Sequence, residues 1–194
     1  MAVLITREHE ICAGHRVYGH EGACRNIHGH NYRFELTIGS MNGLDKLGRV
    51  LDFGVVKDVL CNWLEKNWDH KMLLWKEDHL YTAMRIAAPM AFCHDSSAVI
   101  GLPCNPTVEN LAQYFVEDVA PGLLAHLDCN LVQVKLWETS KCSATYTRED
   151  YEIIVRNRSQ NVSIEESGKL HQKNEEESLL SKGTSCSQEE TGKG

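Results

Sequence analysis

"NYRFELTIGS", residues 31–40, alternates with a period of two: Tyr32, Phe34, Leu36 and Ile38 are apolar, while Asn31, Arg33, Glu35 and Thr37 are polar. That spacing predicts a β-strand with one face buried and the other toward water. Toward the N-terminus, "VLITREHEICAGH" (3–15) is rich in strand formers at its start and reads as a first strand. Toward the C-terminus, "MNGLDKLGRVLDF" offers a turn at Asn42-Gly43 and a short return strand at "RVLDF". The first third therefore reads as a hairpin-like antiparallel unit.

From Gly54 the period changes. Val55, Val56, Val59, Leu60, Trp63 and Leu64 recur at three- and four-residue spacing, which predicts an amphipathic helix ending near "WDHKMLL". Residues 75–104 are mixed and read as a loop with a short helix around "LYTAMRIAAPMAF". A second helix follows "NPT", where Asn105 or Thr107 can cap it, with Leu111, Phe115 and Val119 as its apolar stripe and Pro121-Gly122 breaking or bending it. "LVQVKLWE" returns to period two, with Val132, Val134 and Leu136 on one face, and "SATYTREDYEIIV" pairs back as the last strand. Strand, strand, helix, helix, strand, strand is an α+β order with antiparallel pairing. Beyond Arg158 the chain is Ser/Glu/Lys/Gly-rich and nearly free of aromatics, too poor in apolar surface to offset the entropy of ordering. The expected division is a folded domain over 1–158 and a disordered polar tail over 159–194.

Composition narrows the function classes. Hydrophobic residues at 42% and charged residues at 24% are ordinary globular usage. The apolar runs are too short to span a bilayer, and the start lacks the layout of a signal peptide, so a cytoplasmic protein is expected. A net charge of -7 disfavours nucleic acid and anionic membranes as partners. The eight cysteines are spread from Cys12 to Cys186 without paired short spacings, and a cytosolic chain keeps thiols reduced, which argues against disulfides; the lack of a CxxC pair argues against a four-cysteine zinc site. Cys12, Cys61, Cys93, Cys104, Cys129 and Cys142 read as small buried or half-buried side chains.

The chemistry concentrates in "GHRVYGHEGACRNIHGHNYRF", residues 14–34. His28 and His30 are two apart, so both imidazoles of an extended segment project to one side, and Gly29 between them lets backbone pack closely. A third ligand must come from elsewhere, and His15, at the end of the preceding strand, is the nearest candidate that can lie across an antiparallel pair. Three histidines leave one position of a tetrahedral Zn²⁺ open, as in catalytic sites. Cys24 fits two roles: a fourth ligand closing a structural Cys/His₃ site, or a thiolate base favoured by the adjacent Arg25. His20 reads as a loop residue outside the ligand set. Asp69-His70 pairs a carboxylate with an imidazole, the arrangement of an oriented acid or base. Glu138 continues the parity of Val132, Val134 and Leu136, so a carboxylate projects from the apolar face at the strand end, where a guanidine-like ligand edge can satisfy it. Glu109 is explained by the helix N-terminus alone.

The motifs "CRNIHGHNY", "LDF", "WDHKMLL", "NPTVENLA" and "LWET", in this order across the folded part, resemble the 6-pyruvoyltetrahydropterin synthase / 6-carboxytetrahydropterin synthase family. The resemblance implies a T-fold: an antiparallel four-stranded sheet with two helices, assembled as a trimer or a hexamer of two trimers with active sites at subunit interfaces. It implies His15, His28 and His30 as zinc ligands, Cys24 as catalytic base, Asp69 and His70 as a proton relay, Glu138 as the pterin-anchoring acid, and Thr107 and Glu109 in a secondary pterin-contacting segment. The Cys-x₃-His-Gly-His spacing is similar to the 6-carboxytetrahydropterin synthases of the queuosine and 7-deazaguanine route. The chain departs from the compact bacterial pattern in the longer segment from Trp75 to Cys104 and in the tail. The implied activity is a zinc-dependent lyase acting on a pterin triphosphate, 7,8-dihydroneopterin triphosphate, to give 6-carboxy-5,6,7,8-tetrahydropterin, acetaldehyde and triphosphate. Arg25, Lys71 and Arg85 are candidate triphosphate contacts. The rival readings are a pyruvoyl-forming synthase of the tetrahydrobiopterin route and a noncatalytic zinc-stabilised pterin-binding protein.

Overall fold

In the computed structural model, which describes residues 3–40, 43–91 and 96–148, the alternating stretch is the inner strand of a six-stranded sheet. Strand β1 is Leu4–His15 and β2 is His28–Ser40; they pair antiparallel along their whole length, from Leu4 opposite Gly39 to His15 opposite His28. Tyr32, Phe34, Leu36 and Ile38 are buried, as their parity requires, and face Ile11 and Ala13 of β1 on the same side of the sheet.

Helix α1 opens at Phe53–Val56, widens through one π turn at Lys57–Cys61 and closes as Asn62–Asn67. Its buried stripe is Val56, Leu60 and Leu64, laid on the sheet with Trp68 beyond its end. The expected return strand at "RVLDF" does not form. Asp52 instead caps α1, its Oδ1 accepting from Gly54 N at 2.8 Å, while Arg49 is held by Asp45 and Asp52, so these residues make a turn and a helix start.

The long segment after α1 contains two strands that its short apolar runs did not reveal. Strand β3, Lys71–Trp75, runs parallel to β1, and β4, Val99–Leu102, runs parallel to β3; between them lies helix α2, His79–Ala91. Consecutive Leu73 and Leu74 are both fully buried, the mark of a strand covered on both faces, which gives no alternation to read. The loop with a short helix is thus a strand–helix–strand unit added to the edge of β1.

Helix α3 begins at Val108–Tyr114, passes through a π turn at Phe115–Val119 and ends as Ala120–Leu124. Thr107 is its cap, accepting from Asn110 N at 3.3 Å. Pro121 does not end it: the wider turn precedes the proline, which sits in the first turn of the last segment, where a missing N–H is tolerated. Strand β5, Cys129–Trp137, pairs with β2, and β6, Ser143–Thr147, pairs with β5, both antiparallel. A register shift between Thr37 and Ile38 leaves Val132 as an extra residue, so the buried face is Leu131, Val134 and Leu136 rather than one containing Val132.

The order β4-β3-β1-β2-β5-β6 contains the expected antiparallel four, β1, β2, β5 and β6, enlarged by two parallel strands. The core lies between this sheet and helices α1 and α3, with Phe34, Trp68 and Phe115 in mutual ring contact. Residues 149–155 of the expected last strand, the tail over 159–194, and Cys93 lie outside the described residues. Among the described residues no helix is long and apolar enough to cross a membrane.

Candidate active site

Strand pairing assembles the first three groups. His28 and His30 share the inward face of β2, and His15 stands directly opposite His28 at the end of β1. Gly29 faces Gly14 across the pair, and a Cβ on Gly29 would stand 3.2 Å from Ala13 O, so the close approach of the two strands here uses the missing side chain.

The ring orientations follow from backbone carbonyls. His15 Nδ1 lies 2.7 Å from Pro106 O and His28 Nδ1 lies 2.8 Å from Asn26 O. A carbonyl only accepts, so each Nδ1 carries the proton and each Nε2 is left as a lone pair. Those two Nε2 atoms face each other at 3.0 Å, and His30 Nε2 is buried without a hydrogen-bond partner among the described residues. Lone pairs so arranged repel one another unless a cation sits among them. The donor set therefore fits a metal ion, and an all-imidazole set suits zinc among other transition metals. Among the described residues, His15, His28 and His30 form the group whose ligand atoms all lie within 4.8 Å of one another; Cys24 is not in it.

Burial pushes the His15 imidazole down to about 4, against the Pro106 hydrogen bond, with His28 and His30 adding to the depression. Burial also lowers His30, more strongly than Glu138 raises it. Both effects keep the rings neutral, which is the form that binds metal.

Glu138 reaches the cluster from the end of β5: its Oε1 is 3.5 Å from His15 Nε2 and 3.7 Å from His30 Nε2. The parity of Val134 and Leu136 carries it inward, and a turn in which Thr139 Oγ1 accepts from Lys141 N and Cys142 N follows it. Tyr32, two residues beyond His30 on the same face, packs edge-on against His15 and His30, and its hydroxyl is buried without a partner among the described residues. Burial, with Glu138 and Cys24 nearby, drives the phenol far above its ordinary value, so it stays protonated.

Cys24 is half-buried in a short turn, Ala23–Arg25, of the loop between β1 and β2. Arg25 beside it donates to Glu21 O, and His20 accepts from Gly22 N, outside the ligand group as expected. Asp69 and His70 sit at the entry to β3, on the far edge of β1. Asp69 Oδ1 accepts from Cys12 N at 2.8 Å and His70 N donates to Cys12 O at 2.6 Å, so one residue of β1 fixes both. His70 Nδ1 donates to Asp69 Oδ2 at 2.7 Å from a backbone with φ of 54°, a conformation rare for a residue with a side chain. Burial alone raises the Asp69 carboxyl, but the Cys12 N–H and the His70 ring outweigh it and hold it below the usual carboxylate value. The His70 side chain is 79% exposed, and among the described residues no hydrogen bond, ion pair or ring contact joins it to Cys24 or to the three histidines.

Thr107 is committed to capping α3, and Glu109 is exposed in its first turn. Lys71 Nζ donates to Ser97 Oγ at 3.3 Å, and Arg85 lies on the exposed side of α2. Cys61 and Cys129 are buried and Cys104 half-buried, but Cys12 and Cys142 are exposed: Cys12 has the outward parity of β1, opposite to Ile11 and Ala13, and Cys142 lies in the β5–β6 turn. The sequence alone does not reveal Pro106 as the carbonyl that orients His15, Tyr32 at the cluster, or the grips of Asp78 on Arg16 and of Asn105 on Tyr18. The "NPT" cap signal pointed at the right loop without revealing the carbonyl.

The family model described as 6-pyruvoyl tetrahydropterin synthase matches residues 4–149. The chain is similar to proteins named 6-carboxy-5,6,7,8-tetrahydropterin synthase from Rickettsia bellii, at 36% identity over 137 residues covering 71% of this chain and 94% of that protein. It is also similar to one so named from Aquifex aeolicus, at 31% over 131 residues, 65% of this chain and 76% of that protein. Among solved structures, an uncharacterized protein from Wolinella succinogenes superposes with a TM-score of 0.65 at 19% identity, covering 76% of this chain and 98% of that one. The 6-pyruvoyl tetrahydropterin synthase of Caenorhabditis elegans gives a TM-score of 0.53 at 22% identity, covering 76% and 96%. The shared architecture is the T-fold, α+β, with the two extra parallel strands as the difference from the expected sheet.

Proposed function

We propose, on the premise that this chain belongs to the 6-pyruvoyl tetrahydropterin synthase family, that it is a zinc-dependent lyase. In this reading it converts 7,8-dihydroneopterin triphosphate to 6-carboxy-5,6,7,8-tetrahydropterin, acetaldehyde and triphosphate, in the cytoplasm, with the domain spanning 1–158. The observation that carries the reading is the three-imidazole group with Cys24 outside it, which leaves a thiol for chemistry instead of closing a structural shell. The Cys-x₃-His-Gly-His spacing and the names of the relatives from Rickettsia bellii and Aquifex aeolicus favour the carboxy product over the pyruvoyl one.

His15, His28 and His30 would hold the zinc, which when bound supplies a Lewis acid for the substrate's side-chain oxygens. Cys24 removes a proton as the thiolate. His70, whose Nδ1 proton is held by Asp69, has Nε2 left to take up or deliver a proton at the other face of the substrate. Glu138 is the acid assigned to the pterin in this reading, accepting its 2-amino and N3 protons in bidentate fashion and so orienting the ring. Thr107 and Glu109 flank the pterin, and Arg25, Lys71 and Arg85 are the cations for the triphosphate. The exposure of His70, away from Cys24 of its own chain, supports a homo-oligomer, trimer or hexamer, in which the relay of one copy serves the metal centre of another.

The test is a product assay with purified, zinc-loaded protein and dihydroneopterin triphosphate. Acetaldehyde released one-for-one with 6-carboxytetrahydropterin is the expected result. A retained pyruvoyl side chain would move the reaction to the alternative branch, and unchanged substrate with bound zinc would leave a binding protein.

A further inference from the structure

Cys24 has little of its own to hold it. The turn Ala23–Arg25 contains no buried residue, and Gly22 before it supplies no side-chain cap. Besides the turn's own bonds, Asn26 N to Ala23 O at 2.9 Å and the Arg25 guanidinium to Glu21 O at 3.0 Å, what ties the cysteine itself to the start of the loop is the backbone of Val17, whose N–H donates to Cys24 O at 2.8 Å. Val17 is in turn flanked by two residues that are each gripped from outside the loop. On one side, Arg16 donates from Nε to Asp78 Oδ2 at 2.6 Å and from its terminal nitrogen to Asp78 Oδ1, a two-pronged ion pair. On the other, the main chain of Tyr18 is held at both ends by one amide: Tyr18 N donates to Asn105 Oδ1 and Asn105 Nδ2 donates to Tyr18 O, each at 2.8 Å.

Both anchors are themselves fixed. The Asp78 side chain is completely buried, and its Oδ1 also accepts from Leu80 N at the start of α2. Asn105 O accepts from Asn110 Nδ2 and from Thr107 N, which ties it to the cap of α3. His15, immediately before Arg16, does not depend on these grips alone: strand pairing with His28 and the Pro106 carbonyl hold it separately. The metal ligands and the thiol are therefore fixed by different contacts.

We propose that Asp78 and Asn105 are positioning residues for Cys24, acting through Arg16 and Tyr18 on the Val17–Cys24 backbone bond. The proposal rests on the reading of Cys24 as the base. It also gives the long segment between β3 and β4 a task in the site, because Asp78 belongs to it. Proton transfer depends steeply on geometry, and a displacement of about 1 Å costs on the order of 100-fold in rate. A loop without a cap or buried residue needs such external fixing.

The test uses the full-length, zinc-loaded protein with Asn105→Ala and Arg16→Lys. Asp78→Asn is set aside because it leaves a half-buried guanidinium without its counter-charge and endangers the fold. Three quantities are read: iodoacetamide alkylation of Cys24 by peptide mass spectrometry, relative to the exposed Cys12 and Cys142; zinc per chain; and kcat and KM with dihydroneopterin triphosphate. The expected result is Cys24 alkylation faster by roughly tenfold, kcat lower by about 10- to 100-fold with KM little changed, and zinc retained. Asn105→Asp, which keeps the Oδ1 acceptor, should fall between parent and alanine. Cys24 alkylation and kcat both within about twofold of the parent, the size of an ordinary surface substitution, would overturn the proposal. Faster alkylation with unchanged kcat would overturn it through its premise, since the grip would be real but Cys24 would have no part in the reaction.

Discussion

Removing one oxygen atom, by Tyr32→Phe, should make the metal-free protein more stable. Tyr32 is 1% exposed, and its hydroxyl is buried with no hydrogen-bond partner among the described residues. A buried hydroxyl without a partner costs about 1–3 kcal/mol relative to water. The ring contacts with His15 and His30 at 5.8 and 5.6 Å are kept by phenylalanine. The void left by the oxygen, about 10–15 Å³ at about 24 cal/mol per Å³, returns roughly 0.3 kcal/mol of that gain. Because the phenol stays protonated, no charge is lost with it. The net gain is about 1–2 kcal/mol, which raises Tm by about 2–8 °C for a domain of this size. The assay is urea and thermal unfolding of parent and variant after chelation, at one fixed protein concentration so that any assembly contributes equally. Equal or lower stability of the variant would refute the reasoning, because it would mean that the hydroxyl has a partner, such as a bridging water.

Cys24→Ala should keep zinc, read by elemental analysis, and lose turnover by about 10²- to 10⁴-fold, whereas His28→Ala should lose both; full activity in Cys24→Ala would remove the thiol from proton transfer. Asp78 gives a pH signature. Burial raises its carboxyl, but Arg16 and the Leu80 N–H outweigh that and hold it below the usual value. The stability it contributes is therefore present above its unfolded value near pH 4 and is lost as pH falls through the lower folded value. Acid unfolding of Asp78→Asn should lack that slope and start about 2–4 kcal/mol lower at neutral pH, reduced from the cost of breaking a fully buried pair because Arg16 is partly exposed. A parallel stability–pH curve for the two proteins would count against the pair. Thr107→Ala should destabilise by about 1 kcal/mol through loss of the α3 cap, measured by urea unfolding, and a change below a few tenths would show that the long 3.3 Å bond contributes little.

The parts of the site legible in the sequence are those that local periodicity fixes. His28 and His30 share a face because a strand has period two, and Glu138 turns inward by the same rule, even though the bulge at Val132 breaks the rule earlier in β5. The same parity, applied to β1, would have placed Cys12 outward. What was illegible depends on distance along the chain. Arg16 and Asp78 are 62 residues apart, and Tyr18 and Asn105 are 87 apart, with no periodic pattern linking them. Strands β3 and β4 were missed because runs of five and four residues, buried on both faces, carry no period with which to separate strand from helix.

The hairpin of β1 and β2 also bears on the order of events during synthesis. All three histidines lie between residues 15 and 30, and the contacts that bring them together are internal to the first forty residues. Local pairings of this kind close fastest, because little chain entropy is lost in forming them. The imidazole cluster can thus assemble while the rest of the chain is still being made, and only later do Pro106, Asn105 and Glu138 arrive to lock its rings, steady its loop and face its ligands. Were a metal ion bound by the cluster at that stage, it would hold the first hairpin closed while the later strands and helices settle around it.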